Sequence, residues 1–196
     1  MTDNLRLDPA PAIVRQAFWL AAIGFLLVLA KTAATGTLVA GFGRTYAAGA
    51  GEAWTPGFDL IADEIRWRLV TALGVGVVLT LMVGVAAMAV GRRGDSSRTL
   101  VGFVGLVAAA VLVLGVTFSP ESAIAADDAA SLAYYETLVP AWFQTLSAVT
   151  VLGVVVLFGI AFLRMGRAAA ADYYQDYDPA ARWRGFGSWL DFLRRR

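Results

Sequence analysis

Four apolar runs of about twenty residues constrain this chain more than any other feature of its sequence. They cover residues 17–41, 69–90, 99–118 and 141–163. A helix needs about 20 mostly apolar residues to cross roughly 30 Å of hydrocarbon, and none of the four runs shows the polar stripe of an amphipathic surface helix. The sequence therefore predicts an all-α integral membrane four-helix bundle, built from two helical hairpins.

The composition agrees with a membrane protein and narrows its chemistry. Of the 196 residues, 59% are hydrophobic and 16% are charged, whereas roughly a quarter are charged in soluble domains. The chain has no Cys and no His, which removes thiolates and the commonest metal ligand. Carboxylates occur only outside the four runs. We therefore expect no cofactor, no metal site and no enzymatic activity, and the net charge of +1 gives no indication of nucleic-acid binding.

Arginine is distributed unevenly between the two sides of the predicted bundle. The side with both termini and the 91–98 link carries twelve arginines, and the side with the two longer loops carries three. Because loops rich in positive charge stay in the cytoplasm, we expect a multi-pass plasma-membrane protein whose N-terminus and C-terminus are both cytoplasmic. Trp19, Trp67 and Trp142 lie near predicted span ends, as tryptophans at a membrane interface do.

The two longer, outer loops are acidic, and each is expected to carry a short helix. In the first, residues 58–69 repeat with a helical period, and Glu64 precedes Arg68 by four residues, the favourable order for an ion pair. This helix is expected to run into the second span. In the second loop, Asp127 or Asp128 is expected to cap a helix. The acidic excess is read either as a consequence of topology or as a surface for cations or a basic partner.

Lys31 is the one charged residue well inside a predicted span. It lies twelve residues after Trp19, or about 18 Å along a helix, which places it just past the middle of the bilayer. A charge there costs at least about 2.5–3.5 kcal/mol on insertion scales. Either the side chain reaches the outer headgroups, or it faces the bundle and meets an acceptor such as Gln144, or it faces a partner or an anionic ligand. Lys31 and Gln144 form the candidate intramembrane polar site.

Small residues recur every fourth position in the spans, for example at Ala72, Gly76, Thr80 and Gly84. This spacing lets helix backbones approach closely. We expect these residues to pack helices within one monomer. The same spacing fits an oligomer, so the oligomeric state stays open.

Residues 169–196 are expected to form a cytoplasmic tail after a transmembrane domain of residues 1–168. The end of the tail is basic and aromatic, which predicts a short amphipathic helix on the anionic inner leaflet. A segment that docks on a cytoplasmic partner is the alternative. The candidate contact residues are Arg182, Trp183, Arg184, Phe186, Trp189, Arg194, Arg195 and Arg196.

The order of several short motifs resembles a known group of proteins. Residues 15–20 read Arg-Gln-Ala-Phe-Trp-Leu, residues 91–94 read Gly-Arg-Arg-Gly, and a Tyr-Tyr pair at 173–174 follows the fourth span. This pattern resembles a loose group of small, uncharacterised four-span membrane proteins common in actinobacteria. In that group the inner turn continues with an aromatic residue and Ala-Arg, where this chain has Ser-Ser-Arg at 96–98. The resemblance implies the four-span topology and no activity.

The sequence thus favours a non-catalytic accessory, assembly or scaffold subunit. Its expected partners are the lipid bilayer and another membrane protein. The rival hypothesis is a small transporter or channel that uses Lys31, although transporters usually show several polar groups and interrupted helices near the midplane.

Overall fold

Four long helices make up most of the structure. The computed structural model describes residues 11–49, 58–92, 95–117, 119–120, 135–167, 170 and 173–174. The four helices are α1 (Ala12–Gly49), α2 (Phe58–Val90), α3 (Asp95–Thr117) and α4 (Ala141–Met165). Each contains a stretch long and apolar enough to cross a bilayer. The chain is therefore a multi-pass integral membrane protein, and the prediction of an all-α four-helix bundle is confirmed.

The helices form a ring in which each one has two main neighbours. Both α1 and α3 pack against α2 and against α4, so α1 and α3 lie on opposite sides of the ring. We call the end of the bundle with the turn at Gly91, between α2 and α3, the short-turn end. The opposite end, where α1 finishes and α2 begins, is the loop end.

The first two helices are longer than the spans predicted for them. α1 has 38 residues and α2 has 33, or about 57 Å and about 50 Å at 1.5 Å per residue. The helical face of residues 58–69 continues into the apolar run that follows, so the expected loop helix and the second span form the single helix α2. Both helices consequently project beyond the roughly 30 Å of hydrocarbon.

Prolines and a glycine define several helix boundaries. The carbonyl of Pro11 accepts a hydrogen bond from the N–H of Val14 at 2.9 Å, and Pro140 does the same for Phe143 at 2.9 Å. A proline suits the start of a helix because the first N–H groups have no partner within the helix. At the other end of α4, the N–H of Gly166 donates to the carbonyl of Phe162 at 3.1 Å and closes the last turn.

The larger hydrophobic core fills the short-turn half of the bundle. Phe158 of α4 is 3% exposed there, and its ring lies between Gly24 of α1 and Gly105 of α3. A Cβ added at Gly24 would lie 2.8 Å from Phe158 Cε2, and one at Gly105 would lie 3.3 Å from Phe158 Cδ1. The two glycines therefore allow three helices to close around one aromatic ring.

The predicted row of small residues on α2 faces α1. A Cβ at Gly76 would lie 2.8 Å from Thr32 Oγ1, and one at Gly84 would lie 3.1 Å from the ring of Phe25. These positions pack α2 against α1 within one chain, which is the use expected for them.

A second, smaller core lies at the loop end. It joins the last turns of α1, the first turns of α2, the helical turn at residues 135–138 and the start of α4. Its buried members are Phe42, Ala62, Ile65, Leu69, Tyr135, Leu138, Val139 and Phe143.

Candidate functional site

Lys31 lies at a cavity between three helices. The side chain is half-buried, and it lines a cavity of about 300 Å³ between α1, α2 and α3. The other lining residues that the structure describes are apolar, apart from Thr32, Thr35 and Thr71. We call this space the Lys31 cavity. Its mostly apolar walls with a few polar groups are typical of a small-molecule site.

Threonine hydroxyls surround Lys31 along α1. Thr35 is buried, and its Oγ1 donates to the carbonyl of Lys31 at 2.9 Å. Thr32 Oγ1 donates to the carbonyl of Val28 at 2.8 Å and lies 3.1 Å from Thr80 Oγ1 of α2. Threonine is tolerated inside an apolar helix because its hydroxyl bonds to the preceding turn. Here one of these hydroxyls also links α1 to α2.

The cavity opens sideways, between α2 and α3. Val75 and Leu114 line it and are 42% and 62% exposed, respectively. Gly115 also lines it, and a Cβ there would meet no atom within 4 Å. In a membrane, exposed surface at this height contacts lipid. The opening between α2 and α3 therefore connects the Lys31 cavity with the bilayer.

Different contacts bound the cavity toward the two ends of the bundle. Toward the loop end, Arg68 Nη1 of α2 donates to the carbonyl of Ser119, just after α3, at 3.2 Å. Arg68 Nε also pairs with Glu64 Oε1 at 2.7 Å, so the expected pair on α2 is present. Toward the short-turn end, Leu79 and Leu112 are buried and continue into the larger core.

The height of Lys31 follows from its neighbour Thr32, which packs against Gly76. Gly76 lies eight residues after Arg68 on α2, about 12 Å along the helix, and fourteen residues before Val90, about 21 Å. Lys31 thus lies well inside the candidate membrane span of α1, at a level nearer to Arg68 than to Val90. This height is close to the depth expected from Trp19.

Gln144, the other member of the predicted intramembrane site, lies elsewhere. It is half-buried in the first turn of α4 and is not one of the residues that line the Lys31 cavity. Within the apolar runs, a polar contact between α1 and α4 comes instead from Thr150, which is buried. Its Oγ1 donates to the carbonyl of Leu146 at 2.7 Å and lies 3.5 Å from that of Leu27. A threonine in an apolar run was the only sequence signal for this contact.

The ends of α1 and α2 beyond Arg68, together with the second core, form what we call the loop-end cap. Within it, Tyr46 of α1 donates a hydrogen bond to Asp59 of α2, and the rings of Phe42 and Tyr46 stack with centroids 6.3 Å apart. The outer face of the cap carries exposed groups of both charges, among them Arg44 and Arg66, and it includes a highly exposed leucine. The exposed carboxylates and this leucine are Asp59, Leu60, Asp63, Glu64 and Glu136.

Two tyrosines close the C-terminal end of α2. The hydroxyl of Tyr173 donates to the carbonyl of Gly91, and that of Tyr174 to the carbonyl of Val90, both at 2.9 Å. These carbonyls belong to the end of α2, where helical carbonyls have no partner within the helix. Burial of Tyr174, with a smaller effect of the adjacent Tyr173, raises the pKa of its hydroxyl to about 12. In the sequence, this pair serves only as part of the resemblance to the group of four-span membrane proteins.

Arginines at the short-turn end contact neighbouring helices. The Arg98 guanidinium of α3 lies 5.9 Å from the ring centroid of Phe162 on α4, within the range of a cation–π interaction. Arg164 of α4 donates to the side-chain oxygen of Gln16 on α1. These contacts hold positive charge at one end of the bundle.

Several predicted features lie outside the described residues. They are Asp127 and Asp128 in the second loop and the tail contacts at residues 182–196. In the described part of the chain, no group of three or more His, Cys, Asp or Glu side chains is placed to hold a metal ion.

Comparisons with family models, curated proteins and solved structures found no match to this chain.

Proposed function

We propose that this membrane protein is a non-catalytic accessory or assembly subunit that binds another membrane protein through its loop-end cap. The observation that carries the proposal is the second hydrophobic core. It holds the projecting ends of α1 and α2 together, and Phe58 lies ten residues, or about 15 Å, before Arg68. A surface that is already ordered binds a partner at a lower cost in conformational entropy than one that must order on binding.

The chemistry of the cap indicates what kind of partner would fit. Leu60 is 76% exposed, and the neighbouring carboxylates of Asp59 and Asp63 are exposed as well. Trp67, which is 67% exposed, lies two turns nearer the membrane on the same face of α2. Apolar anchors beside acidic groups favour a partner with an apolar pocket and basic residues around it.

The test is the size of the complex that leaves the membrane after mild solubilisation. Native gels and light scattering should show the wild-type chain in an assembly larger than its monomer. Leu60→Arg should dissociate that assembly because it places a charge in the apolar contact. Ser96→Arg adds the same charge at an exposed position at the opposite end of the bundle and should leave the assembly intact. A monomeric, solitary wild-type protein in several mild detergents would rule out the proposal.

A small transporter or channel is the second candidate, and the Lys31 cavity is the observation that favours it. The cavity ends at Leu79 and Leu112, and the larger core, with Val83, Val104 and Phe158, lies between it and the short-turn end. This arrangement supports binding more than passage. Lys31→Met should abolish a flux in proteoliposomes if the protein is a transporter, and an unchanged flux would exclude a role for Lys31 in it.

We also propose that the protein lies in the plasma membrane with its short-turn end in the cytoplasm. The arginine-rich links at this end, including Arg98 and Arg164, support this orientation through the positive-inside rule. Because the chain has no cysteine, single cysteines can be labelled without background. An impermeant maleimide on intact cells should label Ala48→Cys and not Ser96→Cys. The opposite pattern would invert the orientation.

A further inference from the structure

We propose that the Lys31 cavity binds a long-chain carboxylic acid, which enters from the bilayer between α2 and α3. In this arrangement the carboxylate pairs with Lys31 and the chain leaves through the lateral opening. This inference does not depend on the function proposed for the loop-end cap, because it concerns a different surface of the molecule.

The charge of Lys31 selects an anionic ligand. A cation within the hydrocarbon is costly, and a bound anion offsets part of that cost. Thr71 also lines the cavity, and its hydroxyl can donate to a second carboxylate oxygen. A single lysine matches a ligand with a single negative charge.

The apolar walls of the Lys31 cavity and its lateral opening favour a ligand whose remaining part is an apolar alkyl chain. The volume of about 300 Å³ equals about ten water-sized volumes of about 30 Å³ each. That space takes the carboxyl group and the first part of an alkyl chain. The remainder would lie against exposed Val75 and Leu114 at the opening, in continuous contact with lipid.

The depth of the site favours a carboxylic acid over a phospholipid. Thr32, next to Lys31, packs against Gly76 of α2, which lies about 12 Å along that helix from Arg68. A phosphodiester headgroup at this depth would have to carry its permanent charge into the hydrocarbon. A carboxylic acid can reach this depth as the neutral acid. It then passes its proton to the Lys31 amine, which gives a carboxylate–ammonium pair.

Binding is measured with the full chain in nanodiscs and nitroxide-labelled stearic acid as the probe, read as the immobilised fraction in spin-resonance spectra. The wild type should bind the probe saturably, and unlabelled palmitic acid should displace it. Lys31→Met should weaken binding by about tenfold or more, because the carboxylate loses its charged hydrogen bond. Lys31→Arg should retain most of the binding.

A second pair of variants separates binding from folding. Gly115 lines the cavity and has open space around it, so Gly115→Leu should fold normally, keep Lys31 and block the opening. Gly159→Leu places the same side chain in open space on α4, away from the cavity, and should bind as the wild type does.

Two results with other ligands would overturn the proposal. One is binding of the probe's methyl ester with the affinity of the acid, since the ester cannot form the ion pair. The other is equal displacement of the probe by phosphatidylglycerol, which would assign the cavity to a phospholipid. Unchanged binding in both Lys31→Met and Gly115→Leu would likewise show that the acid does not occupy this cavity.

Discussion

The short-turn half and the loop half of the bundle hold their helices together in different ways. In the short-turn half, Phe158 packs between Gly24 and Gly105, and the buried residues of that core are almost entirely apolar. In the loop half, between that core and the loop-end cap, the Thr32 hydroxyl lines the Lys31 cavity and contacts Thr80 near the middle of α2. In lipid the hydrophobic effect does not drive helices together, so close packing does. The comparison indicates that the closely packed short-turn half stabilises the bundle. The loop half is left able to hold a ligand.

The largest effect is expected from Phe158→Ala. Removing a buried ring leaves a cavity, and such changes cost about 3–5 kcal/mol in soluble cores. Because lipid solvates the ring in the separated helices, we expect the free energy of unfolding to fall by about 2–4 kcal/mol. Leu163→Ala, five residues further on α4, removes a side chain that is 70% exposed and should have little effect. Denaturation in mixed micelles measures both, and equal losses would show that the buried Phe158 ring contributes no more to stability than an exposed side chain of α4.

Gly24→Ala should be next in size. The new Cβ would lie 2.8 Å from a Phe158 ring that Gly105 holds from the other side, so the ring cannot move away. Overpacking of this kind costs about 1–3 kcal/mol. Gly159→Ala is the matched change on α4, where a Cβ meets nothing within 4 Å. The same unfolding assay should find it neutral or slightly stabilising, and a neutral Gly24→Ala would show that the short-turn half is not tightly packed.

Tyr174→Phe tests the hydrogen bonding at the short-turn end of the bundle. It removes the hydroxyl that donates to the carbonyl of Val90, and a lost hydrogen bond of this kind costs about 1 kcal/mol. Tyr173→Phe removes the equivalent bond of a more exposed residue, so its effect on the free energy of unfolding should be smaller. A reversed order would contradict the burial of Tyr174.

The pH dependence of stability provides an independent check on Tyr174. Its pKa is raised from 10.0 to about 12, so the folded chain holds the proton more tightly than the unfolded chain. The free energy of unfolding should therefore be unaffected by this group below pH 10 and should fall as the pH rises from 10 to about 12. Tyrosinate absorbance should show a late step in the titration, and Tyr174→Phe should remove that step.

The smallest effect is expected at the Thr32–Thr80 contact beside the Lys31 cavity. Thr80→Val breaks the hydroxyl contact with Thr32, and side-chain hydrogen bonds between membrane helices average about 0.6 kcal/mol. Thr37→Val is the control, because Thr37 is exposed and its hydroxyl bonds within α1. A loss from Thr80→Val as large as that from Phe158→Ala would show that polar contacts stabilise the loop half as strongly as packing stabilises the other.

The sequence was informative about helices and much less so about their faces. Run length alone predicted the four spans, and the period of residues 58–69 predicted the helix that became the start of α2. The sequence could not predict whether the Lys31 side chain faces the bundle or the lipid. Core and lipid are both apolar, and α1 has no polar stripe that would orient it. The glycines did not show which helix faces pack together, since a Cβ added at Gly76 would touch α1 while one at Gly74 would meet nothing within 4 Å.

Contacts that join distant parts of the chain were also hidden. The bond between Arg68 and the carbonyl of Ser119 depends on a main-chain atom 51 residues away, and no local pattern marks it. The tyrosines that close α2 were visible as a motif, but their partners are the carbonyls of Val90 and Gly91. A main-chain partner carries no side-chain signature, so only the fold reveals it.

The two tyrosines have a mechanical consequence for the chain that follows them. Tyr173 and Tyr174 are tied by their hydroxyls to the end of α2, while the covalent chain ties them to α4. A pull on the C-terminal segment is therefore shared by two helices from different hairpins. Tension applied there would load the bundle as a unit instead of peeling α4 away from it.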